Sequence, residues 1–124
     1  MIWRLQFPYT SPPLTANQRM HWARKAKITA RLRAEACARA VLAGIPALDY
    51  CEVQLTWYVR DKRRRDVDNV VPTLKAICDG LVDAHLVNDD TPNLMHKFMP
   101  TIVHTPGAVP YLELTITTRG EAVA

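Results

Sequence analysis

The sequence predicts a single α/β (α+β) domain in which a mixed β-sheet packs with two main helices, in the order β-α-β-α-β-β. Three observations carry this reading: runs that alternate with period two, two stretches with helical spacing, and the absence of any internal repeat. With 124 residues, 48% of them hydrophobic, the chain is long enough for one core and short for two, so residues 1–124 are read as one domain.

The first element is a strand, because Ile2, Arg4 and Gln6 alternate with Trp3, Leu5 and Phe7 until Pro8 ends the run. Ser-Pro-Pro and Thr-Ala-Asn then make Tyr9 to Asn17 a loop. From Arg19 to Ala43 there is no glycine or proline, and alanine, arginine, lysine and leucine dominate, which predicts a long basic helix. Ala26, Ala30, Leu32, Cys37, Val41 and Leu42 are available as its packing stripe, and Gly44 and Pro46 stop it.

Cys51 to Arg60 sets Cys51, Val53, Leu55, Trp57 and Val59 on one face and Glu52, Gln54, Thr56, Tyr58 and Arg60 on the other, a half-buried strand. Within residues 70–86, Val71, Leu74, Ile77, Cys78 and Leu81 recur at helical spacing. Asp68 or Asn69 is placed to cap this second helix, and Pro72 is tolerable in its first turn. Leu94 to His104 carries Pro100, which implies an edge position or a bulge. After the turn residues Thr105-Pro106-Gly107, Tyr111 to Thr118 forms the last strand, with Leu112, Leu114 and Ile116 inward.

Composition narrows the function classes. Cys37, Cys51 and Cys78 are odd in number and widely spaced, which fits neither a disulfide framework nor a zinc ribbon, so they read as buried apolar residues. His21, His85, His96 and His104 lack ligand spacing, which argues against zinc. No apolar run approaches the roughly 18 residues that span a bilayer, and the N-terminus lacks the apolar core of a signal peptide; a cytoplasmic address without membrane partners is expected.

The net charge of +4 hides a division. Residues 1–65 hold 13 lysines and arginines against four acids, a net of +9, whereas residues 66–124 hold three against eight, a net of −5. Such a split suits a polyanion held by one surface while carboxylates gather a cation at another, although ordinary solvated charge explains it too.

The chemistry concentrates in Arg63-Arg64-Arg65-Asp66-Val67-Asp68-Asn69. In extended geometry Asp66 and Asp68, two residues apart, point to one side and can grip a hard cation. Oxygen-only ligands favour Mg²⁺ or Mn²⁺ over zinc. The structural alternative is that both acids cap the helix and pair with Arg63 to Arg65. Asp89 and Asp90 add carboxylates beyond the second helix, but sequence alone does not bring Asp90 to Asp66. Lys75, four residues before Asp79 on one helical face, either stabilises charge developing on a phosphate or forms a surface ion pair with Asp79. Lys62 to Arg65 can hold flanking phosphates, and Asn17, Arg19, His21 and Trp22, with Arg24, Lys25 and Lys27, form a second basic cluster whose aromatic could stack on an unpaired base.

In that ordered combination the chain resembles the RusA family of Holliday junction resolvases, especially its bacteriophage and prophage forms. The resemblance rests on Asn17-x-Arg19-x-His21-Trp22, Arg64-Arg65-Asp66-Val67-Asp68-Asn69, Lys75, Asp79-Gly80-Leu81 and Asp89-Asp90. It implies that Asp66, Asp68 and Asp90 bind the catalytic metal, that Lys75 assists, and that Asp79 and Asp89 support them from behind. The stretch from Asn69 to Lys75 is longer than in the cellular form of the family. The resemblance further implies a homodimer that resolves four-way DNA junctions by paired nicking, in recombination and repair within a bacterial host cell. A flap- or fork-selective magnesium nuclease, and a DNA-binding module of the same fold without catalysis, are the alternatives.

Overall fold

In the computed structural model, which describes residues 1–118, the alternating segments form one mixed sheet and the helical segments cover one of its faces. The elements are β1 (Ile2–Phe7), α1 (Trp22–Leu42), β2 (Cys51–Val59), a 3₁₀ turn (Val67–Val70), α2 (Val71–Asp83), β3 (Met95–Lys97), β4 (Thr101–His104) and β5 (Tyr111–Thr117). The mixed α+β class is as expected, with one difference in order. The segment 94–104 is two strands, because Pro100 interrupts it, and both β3 and β4 pair with β2.

The sheet runs β1-β5-β2, with β3 and β4 end to end along the far edge of β2, β3 beside Cys51 to Val53 and β4 beside Thr56 to Val59. β5 is antiparallel to both β1 and β2, with Leu5 opposite Leu114 and Leu55 opposite the same Leu114, so three leucines meet in one row. β3 and β4 run parallel to β2, which requires a crossover, and α2 supplies it.

The period-two patterns place Leu5, Phe7, Cys51, Val53, Leu55, Leu112, Leu114 and Ile116 in the core with Leu74, Ile77, Cys78 and Leu81 of α2. α1 packs by a different stripe from the one expected. Leu32, Ala36 and Ala40 are its buried residues, whereas Ala26, Ala30, Val41 and Leu42 are exposed and Cys37 is half-buried. The reason is a four-residue step along the helix that meets α2 at Gly80. A Cβ at Gly80 would lie 2.4 Å from the Arg33 carbonyl oxygen and 2.7 Å from the Ala36 Cβ, so only glycine permits this approach.

Both helices end in the same hydrogen-bonded reversal. Gly44 (φ 71°) closes α1, with Ile45 N donating to Ala40 O at 3.3 Å. At the end of α2 the left-handed position is filled by His85 (φ 61°), and Leu86 N donates to Leu81 O at 3.1 Å. That reversal turns the chain back along α2 and delivers Asp89 and Asp90 beside it.

Candidate functional site

The acidic pair sits where β2 gives way to α2. Asp66 has extended backbone (φ −103°, ψ 130°) at the head of the 3₁₀ turn, and Asp68 lies within it. The turn is anchored from below by Val70, which is wholly buried. Both carboxylates are exposed, and neither has a hydrogen bond or ion pair with any described residue. The capping expected of Asp68 or Asn69 does not occur: α2 begins from Val70, with Pro72 in its first turn as expected.

The neighbouring arginines are engaged elsewhere, by an acid outside the expected site. Asp61 accepts from the Arg63 backbone N–H at 3.0 Å and from the Arg65 guanidinium at 2.7 Å, and these two groups hold its carboxyl below the usual range. Arg65 also donates to the Asp61 and Arg63 carbonyls at 3.1 and 3.0 Å and lies 5.1 Å from the Trp57 ring centre. Its side chain is only 15% exposed, so Arg65 shapes the loop before it can hold a phosphate. Lys62 and Arg64 are exposed and have no ion pair among the described residues. Arg64, Arg65, Asp66 and Asn69 form one wall of a cleft of about 300 Å³ whose other wall is the loop from Ser11 to Gln18.

That loop is fixed by Thr73 of α2. The wholly buried Thr73 hydroxyl accepts from Leu14 N at 3.1 Å and donates to Leu14 O at 2.7 Å. Nearby, Asn17 accepts from the Thr15 hydroxyl at 3.2 Å, and Arg19 is exposed. His21 caps α1, its Nδ1 accepting from Ala23 N at 3.1 Å. Trp22 is 77% exposed, which excludes a core role, and Arg24 and Lys25 project from the same two turns.

On α2, Lys75 and Asp79 form the expected ion pair at 2.9 Å. Asp90 joins them: its Oδ2 accepts from Lys75 at 2.5 Å and from Lys97 at 2.8 Å. These two ammonium groups, Lys75 first, hold the Asp90 carboxyl far below the ordinary range, and Asp90 and Asp79 in turn push Lys75 up. Asp89 accepts from the Asp90 backbone N–H at 2.8 Å, which fixes the turn.

The expected residues are therefore gathered in two parts. Asp66 and Asp68 stand unpaired at the head of α2, while Asp90 is joined to Lys75. Among the described residues no three His, Cys, Asp or Glu side chains converge as a ready-made metal group. Lys97 is the residue that sequence reading missed. Its signal was parity: it shares a strand face with the buried Met95, an unusual place for lysine.

The cysteines suit the core. Burial pushes the Cys51 thiol up to about 11 and the Cys78 thiol up to about 12, which removes both as nucleophiles at neutral pH. Cys37 is half-buried. Among the described residues no helix is long and apolar enough to cross a membrane.

No family model matches the chain. It is similar to a protein of Xylella fastidiosa (strain Temecula1) described as an uncharacterized protein, with 29% identity over 110 residues, covering 85% of this chain and 71% of that protein.

Proposed function

We propose that the chain is a Mg²⁺-dependent endodeoxyribonuclease acting on branched DNA, with four-way junctions as its substrate and a homodimer as the working unit. The observation that carries this reading is the state of Asp66 and Asp68. Two carboxylates lie within five residues of three arginines, yet Asp61 takes Arg63 and Arg65 and leaves both acids unpaired. A purely structural pair would be consumed by those cations or by the helix cap.

Exposed oxygen ligands of this kind fit a hard divalent cation, so Asp66 and Asp68 would hold Mg²⁺, or Mn²⁺ in its place. Asp90 fits less simply, since its Oδ2 is shared by Lys75 and Lys97. The cation supplies polarisation of the phosphate and activation of a water for hydrolysis to 5′-phosphate and 3′-hydroxyl ends. The chain's own residues supply the rest. Lys75, 57% exposed at its side chain, can turn toward the developing phosphate charge. Arg64 and Lys62 offer free cations to the flanking backbone, and Asp79 and Asp89 orient Lys75 and Asp90. A two-fold junction is matched by a two-fold protein with one such site in each subunit.

The lysine grip on Asp90 favours a second reading, a DNA-binding module without catalysis. Nicking of a synthetic four-way junction in Mg²⁺ decides between them. The wild type nicks it and Asp68→Asn binds without cleaving; a wild type that binds but never nicks sinks the nuclease reading, and unchanged cleavage by Asp68→Asn removes this acid from the metal. Flap and fork substrates in the same assay test the junction preference.

A further inference from the structure

The first turns of α1 do something other than pack. Between Trp22 and Arg31 no residue is fully buried, and Ile28 alone packs partly against the core that holds Leu32, Ala36 and Ala40. Its charges are all of one sign: Arg24, Lys25, Lys27 and Arg31, with no acid in the segment. None of the four has an ion pair among the described residues, although Arg33 and Arg39 farther along are paired with Asp83 and Glu35. Helix stability does not account for them, because cations near the start of a helix oppose its dipole and the first turn has no acid.

On the side of α1 that carries Lys25 lies an open groove of about 440 Å³, floored by Ala26, Thr29 and Ala30 and bounded by Trp22, Lys25 and Arg33, while Arg24, Lys27 and Arg31 project from the other side of the helix. Trp22 is 77% exposed at its mouth, its ring 5.6 Å from that of His21. An exposed indole over a floor of small side chains, with the unpaired Lys25 at its edge, joins a flat apolar surface to a demand for negative charge. An unpaired nucleotide has both complements, a π-face and a phosphate. An acidic peptide has only the second, and duplex DNA keeps its base faces stacked away.

We infer that this face of α1 is a docking site for unpaired nucleotides, with Trp22 stacking on a base while Lys25 holds the adjoining phosphate. The inference rests on the reading of the chain as a DNA-binding protein and is independent of its cleavage chemistry. It places single-stranded character, such as the splayed bases at a branch point, on α1, apart from the acids at the head of α2.

Titration of the full chain with oligothymidylate in EDTA, followed by tryptophan fluorescence, tests it. Trp22 is the only tryptophan outside the half-buried class, so quenching reports on it. Trp22→Ala is expected to lose the quenching and to weaken binding about five- to 150-fold, the range of one base–aromatic stack. Trp22→Phe retains most of the affinity. Lys25→Ala lowers the slope of log affinity against log salt by about 0.7, whereas Trp22→Ala leaves the slope unchanged. Unaltered oligonucleotide affinity in Trp22→Ala, with its melting curve intact, overturns the proposal. So does equal weakening of polyglutamate binding by Trp22→Ala, which assigns the groove to an acidic protein. Asp68→Asn separates the two readings: loss of nicking with oligonucleotide affinity retained leaves the groove standing, and Trp22-independent binding by a protein that nicks leaves only the nuclease.

Discussion

Replacing Thr73 with valine removes one hydroxyl and keeps the shape of the side chain, so its effect isolates the tie between α2 and the loop at residues 9–18. Two hydrogen bonds vanish together, at 3.1 and 2.7 Å, and both partners belong to the buried backbone of Leu14. Each polar group left unpaired in such a place costs about 1–3 kcal/mol, and the pair, on one residue with some freedom to relax, about 2–4 kcal/mol. For a chain of this size that is a fall in melting temperature of roughly 6–20 °C. Thermal unfolding by circular dichroism gives the value, with urea unfolding as the check. Thr73→Ser keeps the hydroxyl and loses a methyl, so it costs about 1 kcal/mol and sets the baseline. If Thr73→Val melts within about 2 °C of the wild type, the loop is not held by this hydroxyl and the cleft wall facing Arg64 and Asp66 is set by something else.

Gly80→Ala drives a Cβ to 2.4 Å from the Arg33 carbonyl and is expected to destabilise by about 1–3 kcal/mol in urea, despite alanine's better helix propensity; a neutral result would mean the helices part easily. Lys97→Met combined with Asp90→Asn in a double-mutant cycle should show coupling of about 1 kcal/mol or more, and strict additivity would remove the contact seen at 2.8 Å. Acid stability follows from the same cluster. The Asp90 carboxyl is held down by Lys75 and Lys97, so its contribution is complete above the ordinary carboxylate range near pH 4 and is lost as pH falls through and below it. Lys75 is shifted up, and its contribution fades only in strong alkali. Urea unfolding from pH 6 to pH 2 should therefore show a shallower acid limb in Asp90→Asn than in the wild type, and identical limbs would contradict the assignment.

The fold was legible wherever one face of an element meets the core. Alternation placed β1, β2 and β5 within a residue of their bounds because an inward leucine or valine every second position leaves no other register. α1 was visible as a helix but not as a packing surface. Its alanines are small enough to be buried or exposed, and the choice depends on where Gly80 admits the partner helix. The site was legible in residue type and only partly in arrangement. Asp66, Asp68 and Lys75 belong to one continuous turn and helix, so their order along it was local information. Asp90 reaches Lys75 only through the reversal at His85, and Lys97 only through the parallel pairing of β3 with β2, neither of which any local pattern encodes. Asp61 lies four residues before Arg65 but has no role in the sequence reading, which matches the arginines to Asp66 and Asp68 or to phosphate, whereas in the fold it clamps both Arg63 and Arg65.

The position of β5 between β1 and β2 bears on how the protein is made. Ile2 finds its partner in Thr117, so β1 has no sheet neighbour among the described strands until β5 emerges from the ribosome. β2 likewise waits for β5 on one side and for β3 and β4 on the other. The two helices can meet early, through Arg33, Ala36 and Gly80, while the edges of β1 and β2 that β5 will pair stay open. A long interval of exposed strand edges thus precedes the step in which a single seven-residue insertion joins β1 to β2. A substitution that slows β5 would act on yield in the cell long before it altered the folded protein.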